Sequence, residues 1–255
     1  MDADMEREIR NRLEQIETER NVRILFAAES GSRAWGLESP DSDYDVRFVY
    51  VRPLKEYLRV DEPRDVIEWQ LDEVYDINGW DLRKALMQIA KSNPAIYEWL
   101  NSPIIYRESP EWAGAREAAF RCFSEKAGVC HYYGLAKNTF LTYLTGDRVS
   151  YKKYFYALRP LLAARYIESC HEAPPMLFRD LMKQDLPEEL KTAAAELLEI
   201  KRQTPEGELM PRIPAISDFI EAEIKAQQEM LSQIPDNRNR DIASLNRFFQ
   251  ETVLV

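Results

Sequence analysis

Ala28-Glu29-Ser30-Gly31-Ser32-Arg33-Ala34-Trp35-Gly36, followed closely by Ser39-Pro40-Asp41-Ser42-Asp43-Tyr44-Asp45-Val46, decides how this chain is read. Just upstream, Val22 to Ala28 is a short apolar run rich in β-formers and predicts a strand. Residues 29–42 are rich in Gly, Ser, Pro and Asp and read as a loop with room for one helical turn. Asp43 to Val51 alternates strictly and predicts a second strand. Tyr44, Val46, Phe48 and Tyr50 share one face; Asp43, Asp45, Arg47, Val49 and Val51 share the other. A Gly-Ser turn at a strand end lets main-chain N–H groups approach a phosphate, and the Ser32 hydroxyl adds a donor. No Gly-Lys-Ser/Thr follows, so this is not a Walker loop. Asp is a poor strand residue. A period of two sets the carboxylates of Asp43 and Asp45 side by side, and a divalent cation held by both relieves their repulsion. A solvated strand face that tolerates acids is the plain alternative; Gly31-Ser32 just upstream favours a site.

Working outward, residues 2–20 predict an amphipathic helix, with Met5, Ile9, Leu13 and Ile16 at helical spacing. Residues 53–60 read as a short helix, and Val66 to Leu71 and Val74 to Asn78 as strands around an Asp-Glu turn. Leu82, Ala85, Leu86, Ile89 and Ala90 share a helix face, with Asp81 placed to cap it. A helix over 94–101 and an edge strand over 103–106 follow. Beyond residue 108 strand signals fade. Helices are expected over 110–127, 129–145, 150–170, 176–183, 187–202 and 214–232, punctuated by Gly146-Asp147, Pro174-Pro175, Pro187, Pro205 and Pro211/Pro214. The fold class expected is α+β, a mixed sheet with flanking helices followed by a C-terminal helical bundle. The boundary falls near 108, giving domains 1–108 and 109–255 with the site in the cleft between them.

Composition removes several function classes. The 255 residues carry 34 Lys/Arg against 44 Asp/Glu, a net charge of −10, so a broad basic face for long nucleic acid is not expected. No run approaches a membrane span. The start, Met-Asp-Ala-Asp-Met-Glu-Arg-Glu, does not have the form of a secretory signal. Cys122, Cys130 and Cys170 are odd in number and form no Cys-x-x-Cys, which fits a reducing cytoplasm and suggests small buried hydrophobes. With His131 and His171 the only histidines, metal chemistry falls to carboxylates and hence to Mg²⁺ or Mn²⁺.

Gly31-Ser32, ten intervening residues, then Asp43-Tyr44-Asp45-Val46 resembles the nucleotidyltransferase signature of the DNA polymerase beta superfamily. The fuller stretch through Ser42-Asp43-Tyr44-Asp45-Val46-Arg47-Phe48 resembles one branch more closely, the RNA-repair-pathway DNA polymerase beta family. Asp76-Ile-Asn-Gly-Trp-Asp81-Leu-Arg-Lys84, Ser92-Asn-Pro94 through Glu98-Trp-Leu, and Lys152-Lys-Tyr-Phe-Tyr through Arg159-Pro-Leu-Leu-Ala-Ala-Arg165 extend the likeness over about residues 22–225. The resemblance implies a polymerase-beta-like fold and a two-metal mechanism with Mg²⁺ or Mn²⁺ held by three acids. Asp43 and Asp45 match the first two. Asp76, between Tyr75 and Ile77, fits the third better than Asp81, which sits at a helix N-cap. Two cations about 4 Å apart can hold the attacking oxygen and the leaving phosphate in line. The implied reaction moves a nucleoside monophosphate from an NTP to an acceptor hydroxyl and releases pyrophosphate, with an RNA end as the acceptor the family name suggests.

Gly31 and Ser32 are then the candidate triphosphate contacts, and Arg33 and Arg47 candidate phosphate ligands. Arg47 has an equal alternative, pairing with a neighbouring acid. Residues 116–168 hold nine Lys/Arg against four acids, +5 in an acidic chain, and Lys152 and Arg159 are the candidate nucleotide contacts there. An ordinary solvated helix face is the alternative. Lys152 and Lys153, being adjacent, are expected to diverge. Tyr151, Tyr154, Phe155 and Tyr156 read as core before they read as a base-stacking surface. A catalytically silent regulatory protein of the same fold, binding a nucleotide or a partner, is the second reading; the intact acid set speaks against it.

Overall fold

A computed structural model describes residues 3–203, 209–236, 238–239 and 241–255. The chain forms two compact units. The first comprises Met1–Trp35, Ser42–Phe123 and Asn239–Val255; the second comprises Gly36–Asp41 and Ser124–Arg238.

Unit 1 contains, in chain order, α1 (Ala3–Arg20), β1 (Arg23–Glu29), α2 (Gly31–Trp35), β2 (Tyr44–Val51), α3 (Leu54–Tyr57), β3 (Val66–Leu71), β4 (Tyr75–Asp81), α4 (Leu82–Ala90), α5 (Pro94–Leu100), β5 (Ile105–Glu108) and α6 (Pro110–Arg121). The sheet order is β3-β4-β2-β1-β5. Only β2 and β4 pair in parallel; the other neighbours run antiparallel. The sheet is therefore mixed, as expected, and the parallel pair lies at its centre. Alternation in β2 and β4 sorts its two faces. Tyr44, Val46, Phe48, Tyr50, Tyr75 and Ile77 join Ile9, Leu13 and Ile16 of α1 in one core. Gly79 stands opposite Phe48 in the ladder, where a Cβ would come within 2.3 Å of the ring. A side chain at this position would break the seam under α1.

Unit 2 contains α7 (Glu125–Tyr143), β6 (Arg148–Ser150), α8 (Tyr151–Cys170), α9 (Phe178–Leu181), α10 (Glu188–Gln203), β7 (Leu209–Pro211) and α11 (Pro214–Met230). From Ala157 to Ala164 every side chain of α8 is buried, so this helix is the unit's centre. The chain then returns to unit 1 as α12 (Ile242–Val253).

Several expectations need correction. The division falls after Phe123, not near 108, and α12 belongs with the sheet. Trp112 of α6 explains both shifts. It is fully buried, stacked on Phe26 of β1 at 5.6 Å and edge-on to Phe248 of α12 at 6.3 Å. The loop Gly36–Asp41 goes to unit 2, where Leu37 O accepts from Lys201 Nζ at 2.5 Å. The pairing of β6 with β7 escapes sequence reading because three residues carry no usable periodicity. Cys122 is buried, but Cys130 and Cys170 are exposed. Pro205, expected to break a helix, lies outside the described residues. Among the described residues no helix is long and apolar enough to cross a membrane.

Candidate active site

The site is built on the parallel pair. The register sets Asp45 directly beside Asp76 and Arg47 beside Asn78. These four lie on the sheet face opposite α1, because their neighbours Tyr44, Val46, Tyr75 and Ile77 are committed to the core. Two carboxylates on adjacent strands repel, and Arg47 resolves this. Its Nη2 donates to Asp45 Oδ1 at 3.0 Å and to Asp76 Oδ2 at 2.6 Å, while Nη1 donates to Asp76 O at 2.7 Å. Asn78 Nδ2 donates to Asp76 Oδ1 at 3.0 Å. Arg47 thus takes the acid-pairing alternative and leaves no free guanidinium for phosphate in this conformation.

Gly31 closes the third side. It begins α2 with φ +56°, and a Cβ on it would lie 1.8 Å from Asp45 Oδ2. Only glycine lets the Gly-Ser turn press against the carboxylate. Ser30 N donates to Asp45 O at 2.7 Å, which ties the turn to β2. Arg33 is also engaged. Its Nε donates to Asp43 O at 3.0 Å and Nη2 to Ser42 O at 2.6 Å, and its guanidinium lies 3.9 Å over the Tyr44 ring. It staples the entry of β2 to α2.

Asp43 directly precedes β2 and is exposed. Among the described residues no three His, Cys, Asp or Glu side chains form a group that could hold a metal ion. The expected three-acid cluster is therefore not assembled in this arrangement: Asp45 and Asp76 are together, turned onto Arg47. The donor chemistry nevertheless suits a hard divalent cation, since two carboxylates share one face and already hold a cationic group. The rival Asp81 is spent on the fold. It caps α4 through Arg83 N at 2.8 Å, accepts from Tyr57 Oη at 2.9 Å, and is buried, which pushes its carboxyl up.

Glu29 and Tyr106 were missed. The Glu29 carboxylate is fully buried at the end of β1, where it accepts Asp45 N at 2.9 Å and the Tyr106 hydroxyl. Burial pushes it up to about 7; the two hydrogen bonds oppose the rise and the Asp45 charge adds to it. An acid closing a strand that is apolar from Ile24 to Ala28 is the available signal.

The candidates in unit 2 are placed otherwise. Arg159 is 2% exposed, with Nε and Nη2 on Met176 O at 3.3 and 3.2 Å. That placement does not suit a phosphate contact, because the guanidinium is sealed in the core of α8. Lys152 and Lys153 share one ring and part at another: both ammonium groups lie near the Tyr156 ring, at 5.8 and 5.3 Å, and that of Lys153 lies nearer still to the Tyr143 ring, at 4.3 Å. Positions three and four apart on a helix meet on one face, so two adjacent lysines can flank one ring. Tyr154 and Phe155 are core, as expected.

A mixed sheet carrying paired aspartates against a Gly-Ser turn defines a polymerase-beta-like nucleotidyltransferase fold. The comparisons agree. A family model described as the RNA repair pathway DNA polymerase beta family matches residues 5–251, and the chain belongs to that family. It is also 43% identical over 251 residues to the uncharacterised protein YcgL of Bacillus subtilis (strain 168), covering 98% of this chain and 96% of that protein.

Proposed function

We propose that the protein transfers a nucleoside monophosphate from an NTP to an acceptor hydroxyl with the help of Mg²⁺ or Mn²⁺. The single observation that carries this reading is the register that sets Asp45 beside Asp76, with Gly31 against the Asp45 carboxylate. The acceptor oxygen attacks the α-phosphorus, a new P–O bond forms, and the bond to the pyrophosphate oxygen breaks. Asp45 and Asp76, joined by Asp43, would hold the metal ions, which when bound neutralise charge on the phosphates and lower the pKa of the attacking hydroxyl. The turn at Gly31 and Ser32 offers main-chain N–H groups and a hydroxyl to the triphosphate. Asp76 is the residue assigned to receive the proton of the acceptor hydroxyl. The family description favours an RNA end as acceptor, and the charge of −10 favours a short contact over a long duplex. The free cysteines are compatible with work in a reducing cytoplasm.

One observation favours the silent regulatory reading: Arg47 already occupies the acid pair. Incubation with each labelled NTP, Mn²⁺ and RNA separates the two. Transfer by the wild type that is lost in Asp45→Asn is expected. No transfer, with Mn²⁺ raising the melting temperature of wild type and Asp45→Asn equally, would overturn the enzymatic reading.

A further inference from the structure

We infer that Glu29 is a positioning residue, the device that fixes the main chain of Asp45 so that its carboxylate stands against Gly31 and beside Asp76. This deepens the proposed function and rests on the reading of Asp45 as a metal-binding acid.

The β1–β2 ladder has a gap at its end. β1 and β2 pair antiparallel down to Glu29 opposite Val46, and the next pair would be Ser30 with Asp45. Half of that pair exists, Ser30 N on Asp45 O at 2.7 Å. The return bond is absent, because the chain leaves the sheet at Gly31 and the Ser30 carbonyl is taken by Ala34 N at 3.4 Å in the first turn of α2. Asp45 N–H has therefore lost its strand acceptor beside the carboxylate that needs the most accurate placement. The Glu29 carboxylate supplies one at 2.9 Å.

Glu29 is itself held firmly. Its N–H donates to Ile104 O at 3.0 Å, its carbonyl accepts from Ser102 Oγ at 2.6 Å, and Tyr106, 1% exposed, donates to its second carboxylate oxygen. Burying an acid is unfavourable, and an apolar side chain would follow the apolar run Ile24–Ala28 at less cost. The acid makes sense here as the acceptor for a main-chain group that no ladder partner can serve. Groups behind a metal ligand set its orientation, and their loss weakens metal affinity about 10- to 100-fold.

The test compares Glu29→Leu, which removes the acceptor, with Glu29→Gln, which keeps an oxygen in place, using two readouts on the full chain. Mn²⁺ titration should show about tenfold weaker binding in Glu29→Leu and near-native binding in Glu29→Gln. Amide hydrogen exchange followed by NMR should show Asp45 N–H losing protection in Glu29→Leu alone, with Phe48 unchanged. Should Glu29→Leu fail to fold, Tyr106→Phe takes its place, with weaker Mn²⁺ binding expected there too. A wild-type Mn²⁺ affinity indifferent to Asp45→Asn would sink the metal reading and leave the clamp without a purpose. An affinity sensitive to Asp45→Asn but unmoved by Glu29→Leu, or by Tyr106→Phe in its stead, would sink the clamp alone.

Discussion

In unit 1 the buried Glu29 carboxylate receives a main-chain N–H and a tyrosine hydroxyl, whereas in unit 2 Glu168 keeps Oε1 buried with no hydrogen-bond partner. Burial pushes both carboxyls up to about 7. What surrounds them differs. Around Glu29 the sheet goes on supplying partners: Asp45 and Asp76 share Arg47, and Asp81 has Arg83 N and Tyr57. Around Glu168 the next influence is the like charge of Glu223, partly offset by Arg165. A raised pKa therefore does not by itself mark a working site. The donors do, because they fix where the negative charge stands, whereas an unserved acid is relieved simply by taking up a proton.

The largest effect should come from two aspartates on one strand. Asp76 is one of the Arg47-bound pair; Asp81 is buried in a cap. Asp76→Asn should lower nucleotidyl transfer by at least about 100-fold while leaving the melting temperature nearly unchanged. Asp81→Ala should do the reverse, costing about 1–2 kcal/mol of stability with transfer retained by the folded fraction. Melting curves and labelled-NTP transfer on both variants check this; equal loss of activity from the two would erase the distinction.

That distinction was legible in sequence, since Asp76 sits between apolar strand residues and Asp81 before a helical pattern. The strand alternation also gave the buried face of β2 and the position of Asp45 and Arg47 on the other. What sequence could not give were facts of pairing. No periodicity says that β2 and β4 run parallel in a register that puts Asp45 against Asp76. Nor does it say that the ladder ends one bond short at Asp45, which gives Glu29 its partner. Arg159 misled because a charged residue in a basic segment looks exposed, yet α8 is buried on every side around it. Asp43 lies one residue before β2, so the strand pattern alone does not place its carboxylate.

Arg47 tests the middle of the comparison. Its side chain is only 15% exposed and balances two acids, so Arg47→Gln should cost about 2 kcal/mol through uncompensated repulsion. The same change removes a competing cation from the pair. Mn²⁺ should then raise the melting temperature of Arg47→Gln more than that of the wild type, read by thermal shift over a metal titration. Equal gains would mean that the guanidinium and the metal do not contest the same oxygens.

Glu168 supplies the smallest effect and the sharpest contrast. Its folded-state pKa lies above the unfolded value, near 7 against 4.5. The folded state therefore binds the proton more tightly, and stability from this group is fully present below pH 4.5 and lost as pH rises through 7. Because the side chain is partly solvated, the loss should stay under about 1 kcal/mol. Glu168→Gln has no charge to bury, so it should melt like the wild type at pH 4.5 and above it at pH 8, flattening the slope between. Identical slopes would show that Glu223 and Arg165 already absorb the charge, and that unit 2 serves its acids as fully as the sheet does.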